Sequence, residues 1–403
     1  MIKIIRMERA AVSKKMIYLQ QVKQNNMSEI LEGIWRYQQV SRVELVELIG
    51  LTSGTITNLT HELIELGILR ENEAISGNLG RRRVMLGFDP RFYRIIGLDI
   101  GRSSIEIAVM DLNGTVLQSI ERDMSGHQGP DEYFQVITPI MMAVKREIEA
   151  TGGRILGLGA GVPGPIDYDR GTLLTPPNFP GWSNFPLQQV LEEQFGLITL
   201  IDDDARTSAM AERRYGLGKN VQNLVYVTLG IGIGGGVVAD GKIVRGTNGL
   251  CGQVGHMTIV LDGKICDCGN RGCWETVGSI PGILGRWPYG STIEELQDAI
   301  KRGEPEALRC MEDTLGFMEA ALVNIQNLYD PQMILLGGKL FPFLSPYLGQ
   351  LKPLVQSRLY AFAKDRLRIE PSTFGTSQSA IGAAALMLGF LLAEPVRLLS
   401  LRK

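Results

Sequence analysis

Between Gly246 and Ser279 the chain reads GTNGLCGQVGHMTIVLDGKICDCGNRGCWETVGS, and this stretch limits what the rest can fold into. His256, Cys266, Cys268 and Cys273 bring an imidazole and three thiols into eighteen residues, the cysteines spaced C-x-C-x4-C. Gly263, Gly269 and Gly272 fall in the gaps, where the backbone must turn tightly for those side chains to converge. Three thiolates and a neutral imidazole make a closed tetrahedral set of the kind structural Zn2+ prefers, with no position left for a reacting water. The expected metal therefore shapes a loop and does no chemistry. The alternative, ordinary buried thiols, seldom arrives in this spacing with glycines between.

At 403 residues the chain exceeds a single ordinary core, so two or three domains are expected. A net charge of -2 excludes a wholly basic nucleic-acid coat and leaves room for a small basic module. Of five cysteines, Cys251 and Cys310 lie outside the metal set, too few for a disulfide framework, which points to a reducing compartment. The segment MIKIIRMERAAV lacks the apolar run of a signal peptide, and Ala380 to Ala393 is too short to span a bilayer. A soluble cytoplasmic protein with no membrane partner is expected.

Residues 1–88 read as a winged helix-turn-helix. The first two dozen give no firm assignment, a frayed helix or a disordered arm. Ile30, Leu31, Ile34 and Trp35 then share one helical face. Ser41-Arg42-Val43-Glu44 is a capping box opening a short helix that should bury Leu45, Leu48 and Ile49. A third helix beginning near Ser53 carries Ile56, Leu59 and Leu63 on one stripe. Its other stripe, Gly54, Thr55, Thr57, Asn58 and His61, is small and polar and, with Ser53 at its start, suited to lying in a major groove of a double-stranded operator. Arg42 is a further candidate contact. Arg81, Arg82 and Arg83 follow a Gly77-Asn78 turn as the basic wing, reaching phosphates or the minor groove. The competing reading is a three-helix interaction module with solvated arginines.

Beyond this module, an apolar strand ending at Asp99-Ile100-Gly101, two further strands, a helix over 131–151 and a strand near 155–160 suggest a ribonuclease-H-like lobe over 89–205. Asp202-Asp203-Asp204 stands at the end of a later strand, where carboxylates face a cleft or, equally, start a helix. Their mutual repulsion should raise at least one pKa. A second lobe over 206–403 opens with a strand running into Gly230, Gly232 and Gly234, a run that by itself implies no more than close backbone packing. Ser379 to Leu392 is expected as a tightly packed helix. The fold class is thus α/β: a winged helix-turn-helix followed by a two-lobed, actin-like and sugar-kinase-like fold with a structural zinc loop.

Gly252-Gln253-Val254-Gly255-His256 and Cys266 through Cys273-Trp274-Glu275 resemble the zinc signature of the ROK family, which groups bacterial sugar kinases with sugar-responsive repressors. The resemblance extends over nearly the whole chain. It implies sugar contacts at Asn178, Asp204, Gln253, His256 and Glu275, with His256 also a zinc ligand. Gln253 replaces the family's usual glutamate, which alters the hydroxyls that position can satisfy. Gly230, Gly232 and Gly234 resemble the second phosphate loop. The first, which in ROK kinases reads Asp-x-Gly-Gly-Thr-Lys, is here Asp99-Ile100-Gly101-Arg102-Ser103-Ser104. Asp99 and Gly101 survive, but Arg102 replaces the second glycine and the lysine is gone, which argues against catalysis.

The resemblance implies a repressor of carbohydrate-metabolism genes, acting as a homodimer or homotetramer on a palindromic operator and released by a sugar. Met257-Thr258-Ile259 and the Cys268–Glu275 segment look most like xylose repressors. An ATP-dependent sugar kinase with Asp204 as general base is the alternative. A third reading makes a protein partner, such as a transport component, the inducer.

Overall fold

The computed structural model describes residues 2–72 and 83–400, with side chains from residue 18 on, Thr376 excepted. A single helix, Ile2–Tyr37, occupies the segment for which the sequence offered no firm assignment. It leads into a short strand (Val40–Ser41), a helix (Arg42–Ile49), a turn and a second helix (Ser53–Glu65), then antiparallel strands Leu69–Asn72 and Met85–Phe88. The Ser41/Glu44 capping box is formed, and Gly50 ends its helix in the left-handed region at φ 78°. Leu45 is fully buried, but Leu48, expected beside it, is 51% exposed. An eight-residue helix presents only a narrow apolar stripe, which Leu45 and the half-buried Ile49 already fill.

Two five-stranded sheets follow, and they share one topology. In the first, Tyr93–Ile100, Ser104–Asp111 and Val116–Asp123 form an antiparallel meander, and Arg154–Val162 and Thr199–Asp203 add in parallel on the other side. In the second, Leu224–Leu229, Ile233–Ala239 and Lys242–Ile243 form the meander, and Met333–Gly337 and Arg368–Pro371 the parallel pair. This is the duplicated arrangement expected of a two-lobed ribonuclease-H-like fold.

Helices Asp204–Tyr215 and Gln378–Ala393 pack against each other and against the first sheet, and Asp204–Tyr215 also packs on the second. The chain's end thus returns to the first lobe, and residues 204–215 belong to both. Close approach is decided by glycine. A Cβ at Gly97 would lie 1.9 Å from the Ala380 carbonyl oxygen, and one at Gly159 would lie 1.7 Å from that of Ala383. The helix Gln378–Ala393 lies almost on the sheet backbone for this reason.

The N-terminal module does not hang from a linker. One apolar cluster runs from Met27, Ile30, Ile34, Leu63 and Leu86 into Ile95, Met110, Leu156, Ala384 and Leu388. Trp35 meets Phe88 and Tyr215 edge-on, at centroid distances of 6.0 and 5.8 Å, with the Arg214 guanidinium over its face. Among the described residues, no helix is long and apolar enough to cross a membrane.

Candidate functional site

The four expected metal ligands converge. The donor atoms of His256, Cys266, Cys268 and Cys273 all lie within 4.8 Å of one another. His256 Nδ1 is 3.6 Å from Cys266 Sγ, and Cys268 Sγ is 3.7 Å from Cys273 Sγ. Metal–sulfur bonds of about 2.3 Å in a regular tetrahedron would set ligand atoms about 3.8 Å apart, so the set fits one ion. Burial and the neighbouring thiols push Cys273 up to about 12, and Cys266 is raised for the same reasons. Thiols that resist ionisation as Cys266 and Cys273 do form a stable thiolate set only around a cation. Gly272 provides the close approach this loop needs, since a Cβ there would sit 1.6 Å from the Val260 carbonyl oxygen.

His256 also lines a cleft of about 150 Å3 between the two sheets, with Asp204, Gln253 and Glu275. One face of the metal loop therefore becomes one wall of the cleft. Glu275 is buried, and its Oε2 accepts the Ile233 N–H at 2.7 Å, tying the metal loop to the glycine-rich loop. Asn178 does not join this group. It is exposed and lies in the left-handed region at φ 54°, while Phe179 and Trp182 beside it are buried, stacked 4.8 Å apart. The stacked pair anchors the segment and turns Asn178 outward.

The three consecutive aspartates separate because strand side chains alternate faces. Asp203 caps the helix Asp204–Tyr215 by accepting from the Ala205 and Arg206 amides, and it lines the cleft with Asp204. Burial pushes Asp203 up to about 7 against the pull of Arg206, with Asp204 and Asp202 adding repulsion. Asp99, on the cleft floor, is pushed up to about 8 by burial, against the hydrogen bond from Ser379. The expected raised pKa is present, on Asp203.

Asp202 points elsewhere. Fully buried, it accepts from Arg206 Nε at 2.7 Å, from Arg245 Nη2 at 2.7 Å and from the Tyr168 hydroxyl at 2.6 Å. Although burial opposes its ionisation, the two guanidiniums hold its carboxyl below the usual aspartate range. Arg206 also donates to the Gly249 and Cys251 carbonyls, and so fastens the segment before Gln253 to the first lobe. Arg206, Arg245 and Tyr168 were missed from the sequence. An arginine among the small and apolar residues Ala205–Ala211 was the one local signal.

The other end of the cleft holds Gly101, Arg102, Gly230, Gly232 and Gly234. Gly101 N–H donates to the Ser104 carbonyl and Gly230 N–H to that of Gly232, each at 2.9 Å. Arg102 Nε donates to the Pro177 carbonyl at 3.1 Å. Its Nη1 lies 3.2 Å from where a Cβ at Gly232 would stand, so that glycine leaves room for the guanidinium.

On the N-terminal module, Ser53, Thr57, Asn58 and His61 are exposed along one face of the helix Ser53–Glu65, His61 lying 3.5 Å from Glu65. Thr55 is half-buried and pairs with the capping Thr52 hydroxyl at 2.9 Å. Arg42 is engaged within the module, donating to Thr60 at 2.9 Å and Glu71 at 2.7 Å, so it braces the helices against the first wing strand. Arg83 is exposed, 3.5 Å from Glu44. Arg81 and Arg82 lie outside the described residues.

Residues 95–389 match the family model described as ROK. The chain belongs to the ROK family. A xylose repressor of Caldicellulosiruptor bescii is 29% identical over 391 residues, which cover 93% of this chain and 98% of that one. A glucokinase of Thermotoga maritima is 28% identical over 263 residues, 61% of this chain and 81% of the kinase. Among solved structures, a ROK family transcriptional regulator, a homologue of the E. coli MLC protein, superposes with a TM-score of 0.80. Its identity is 25%, over 94% of this chain and 99% of that chain.

Proposed function

We propose that this ROK protein is a sequence-specific transcriptional repressor whose hold on a palindromic operator is loosened by a sugar bound between its lobes. The observation that carries the reading is a pair of helices that begin at the cleft and end at the N-terminal module. Asp204 and Ser208 line the cleft at the start of Asp204–Tyr215, and the same helix ends with Arg214 and Tyr215 on Trp35. Gln378 and Ser379 line the cleft at the start of Gln378–Ala393, whose last carbonyl, that of Ala393, accepts from Gln24. At 1.5 Å per residue these helices carry a displacement across about 20 Å.

In this reading Asp204, Gln253, His256 and Glu275 receive the sugar hydroxyls, with Asn178 reaching them only if its segment turns inward. Zn2+, when held by His256, Cys266, Cys268 and Cys273, would fix the shape of the wall that carries His256 and Glu275. Closing the lobes on the sugar moves both helices and re-spaces two copies of the helix Ser53–Glu65 in a dimer or tetramer. Ser53, Thr57, Asn58 and His61 would face base edges, and Arg81, Arg82 and Arg83 the flanking phosphates. Release requires the sugar to bind the DNA-free arrangement more tightly than the DNA-bound one. Xylose or a related sugar is the first candidate, because xylose repressors are 27–29% identical over 91–93% of this chain, against 26% over 91% for an N-acetylglucosamine repressor.

A mobility-shift assay on DNA upstream of its own and neighbouring genes, with a panel of sugars and no ATP, tests the reading. Specific binding released by one sugar is the expected result. Steady ADP formation dependent on sugar and on Asp204, without operator binding, would replace it with a kinase.

A further inference from the structure

Where the glycine loops line the cleft, several of the protein's own polar groups are bonded to one another. Three of the backbone donors there are satisfied internally: Gly101 N–H by Ser104, Gly230 N–H by Gly232, and Ile233 N–H by Glu275. The turn that carries Arg102 is pinned from the first lobe, where the Tyr133 hydroxyl donates to the Gly101 carbonyl at 3.0 Å and Met124 N–H to that of Ser103 at 3.0 Å. From the second lobe, Lys339 Nζ reaches across to donate to Ser103 Oγ at 2.9 Å and Ser104 Oγ at 2.8 Å. Lys339 follows the strand Met333–Gly337 through Gly338, whose φ of 90° gives the backbone the turn that aims the lysine at the first lobe. Arg102 completes the crossing from the other side, its guanidinium resting between the Pro177 carbonyl and Gly232.

We propose that Lys339, Ser103, Ser104 and Arg102 form a clamp that holds the two lobes together without a nucleotide and excludes nucleotide phosphates from the cleft. The chemistry of the lining agrees. Among the described residues, the carboxylates of Glu106, Glu121, Asp204 and Glu275 line the cleft against two permanent cations, Arg102 and Lys339, and both cations are engaged. A polyphosphate would have to displace the clamp and then meet carboxylates. A neutral polyhydroxyl ligand at the opposite end meets neither obstacle. The inference rests on the sugar-sensor reading for the identity of that ligand. The clamp itself does not depend on it.

Hydrogen–deuterium exchange on the full-length, metal-loaded protein tests the clamp. In Lys339→Ala the amides over 101–105 and 338–341 should exchange about tenfold faster than in the parent, with those over 256–275 unchanged. Lys339→Arg should restore most of the protection, because a guanidinium can also donate to two hydroxyls. The pair Ser103→Ala and Ser104→Ala should match Lys339→Ala and add nothing to it. Titration with a non-hydrolysable ATP analogue and Mg2+ should give no binding heat in the parent protein. Unchanged exchange in Lys339→Ala, or binding of the analogue by the parent protein, overturns the proposal. If the sugar reading fails instead, no sugar in the panel gives binding heat while the exchange differences persist, so the two failures are distinguishable.

Discussion

The two ends of the interlobe cleft are built from the same kinds of loop and treat their polar groups in opposite ways. At the metal-loop end, Asp204, Gln253 and His256 present side chains towards the cleft, and the buried Asp202–Arg206–Arg245 node fastens that wall from behind. At the glycine-loop end, the Gly101 and Gly230 amides and Arg102 are bonded within their own lobes, and Lys339 is bonded across to the Ser103 and Ser104 hydroxyls. One end keeps hydrogen-bonding capacity for a ligand and the other spends it on the protein. A fold shared with kinases therefore does not by itself imply phosphoryl transfer, because function follows the groups left unsatisfied at the site.

The largest test of this contrast is removal of the metal loop's frame. Cys268→Ser should lower bound zinc from about one ion per chain to near none by elemental analysis and abolish any sugar response, while secondary structure by circular dichroism is largely kept. Full zinc content in that variant would disconnect the loop from the ligand set.

Next in size is the node behind the wall. Arg206→Met leaves Asp202 buried with one arginine fewer and should cost about 3–5 kcal/mol in urea unfolding, since an uncompensated buried charge is expensive. A loss below about 1 kcal/mol would mean that Arg245 and Tyr168 suffice.

The contrast itself is sharpened by paired substitutions read by calorimetry. Asp204→Asn should weaken sugar binding by about ten- to a hundredfold, whereas Ser103→Ala at the other end should change it by less than about threefold. Equal effects would erase the distinction between the two ends.

The smallest expected effect is a pH dependence. Asp99 and Asp203 bind protons more tightly in the folded chain than the usual aspartate value of 3.8, at about 8 and about 7. Their contribution to stability is complete below the unfolded value and is lost as pH rises through the folded values. Unfolding free energy should therefore fall between roughly pH 5 and pH 8, and Asp99→Asn should flatten the slope. A stability that rises over this range would show that neither carboxyl is held protonated.

Local pattern determined much of this protein. The C-x-C-x4-C spacing foretold a ligand set that converges in space, the Ser41/Glu44 pair foretold a capped helix, and periodicity foretold the strands of the first sheet, the strand Leu224–Leu229 and the helix Gln378–Ala393 within a few residues. These features depend on neighbours in the chain, so they are legible there. The length of the helix Ile2–Tyr37 was not, because charges interrupt its apolar pattern. Only the tertiary structure decided which of three adjacent aspartates turns away from the cleft, that Arg42 braces its own module, and that Asn178 faces outward. It also joined Lys339 to serines 235 and 236 positions away. Each of these is a choice among polar groups with several available partners, and the choice is made by what the fold brings within about 3 Å.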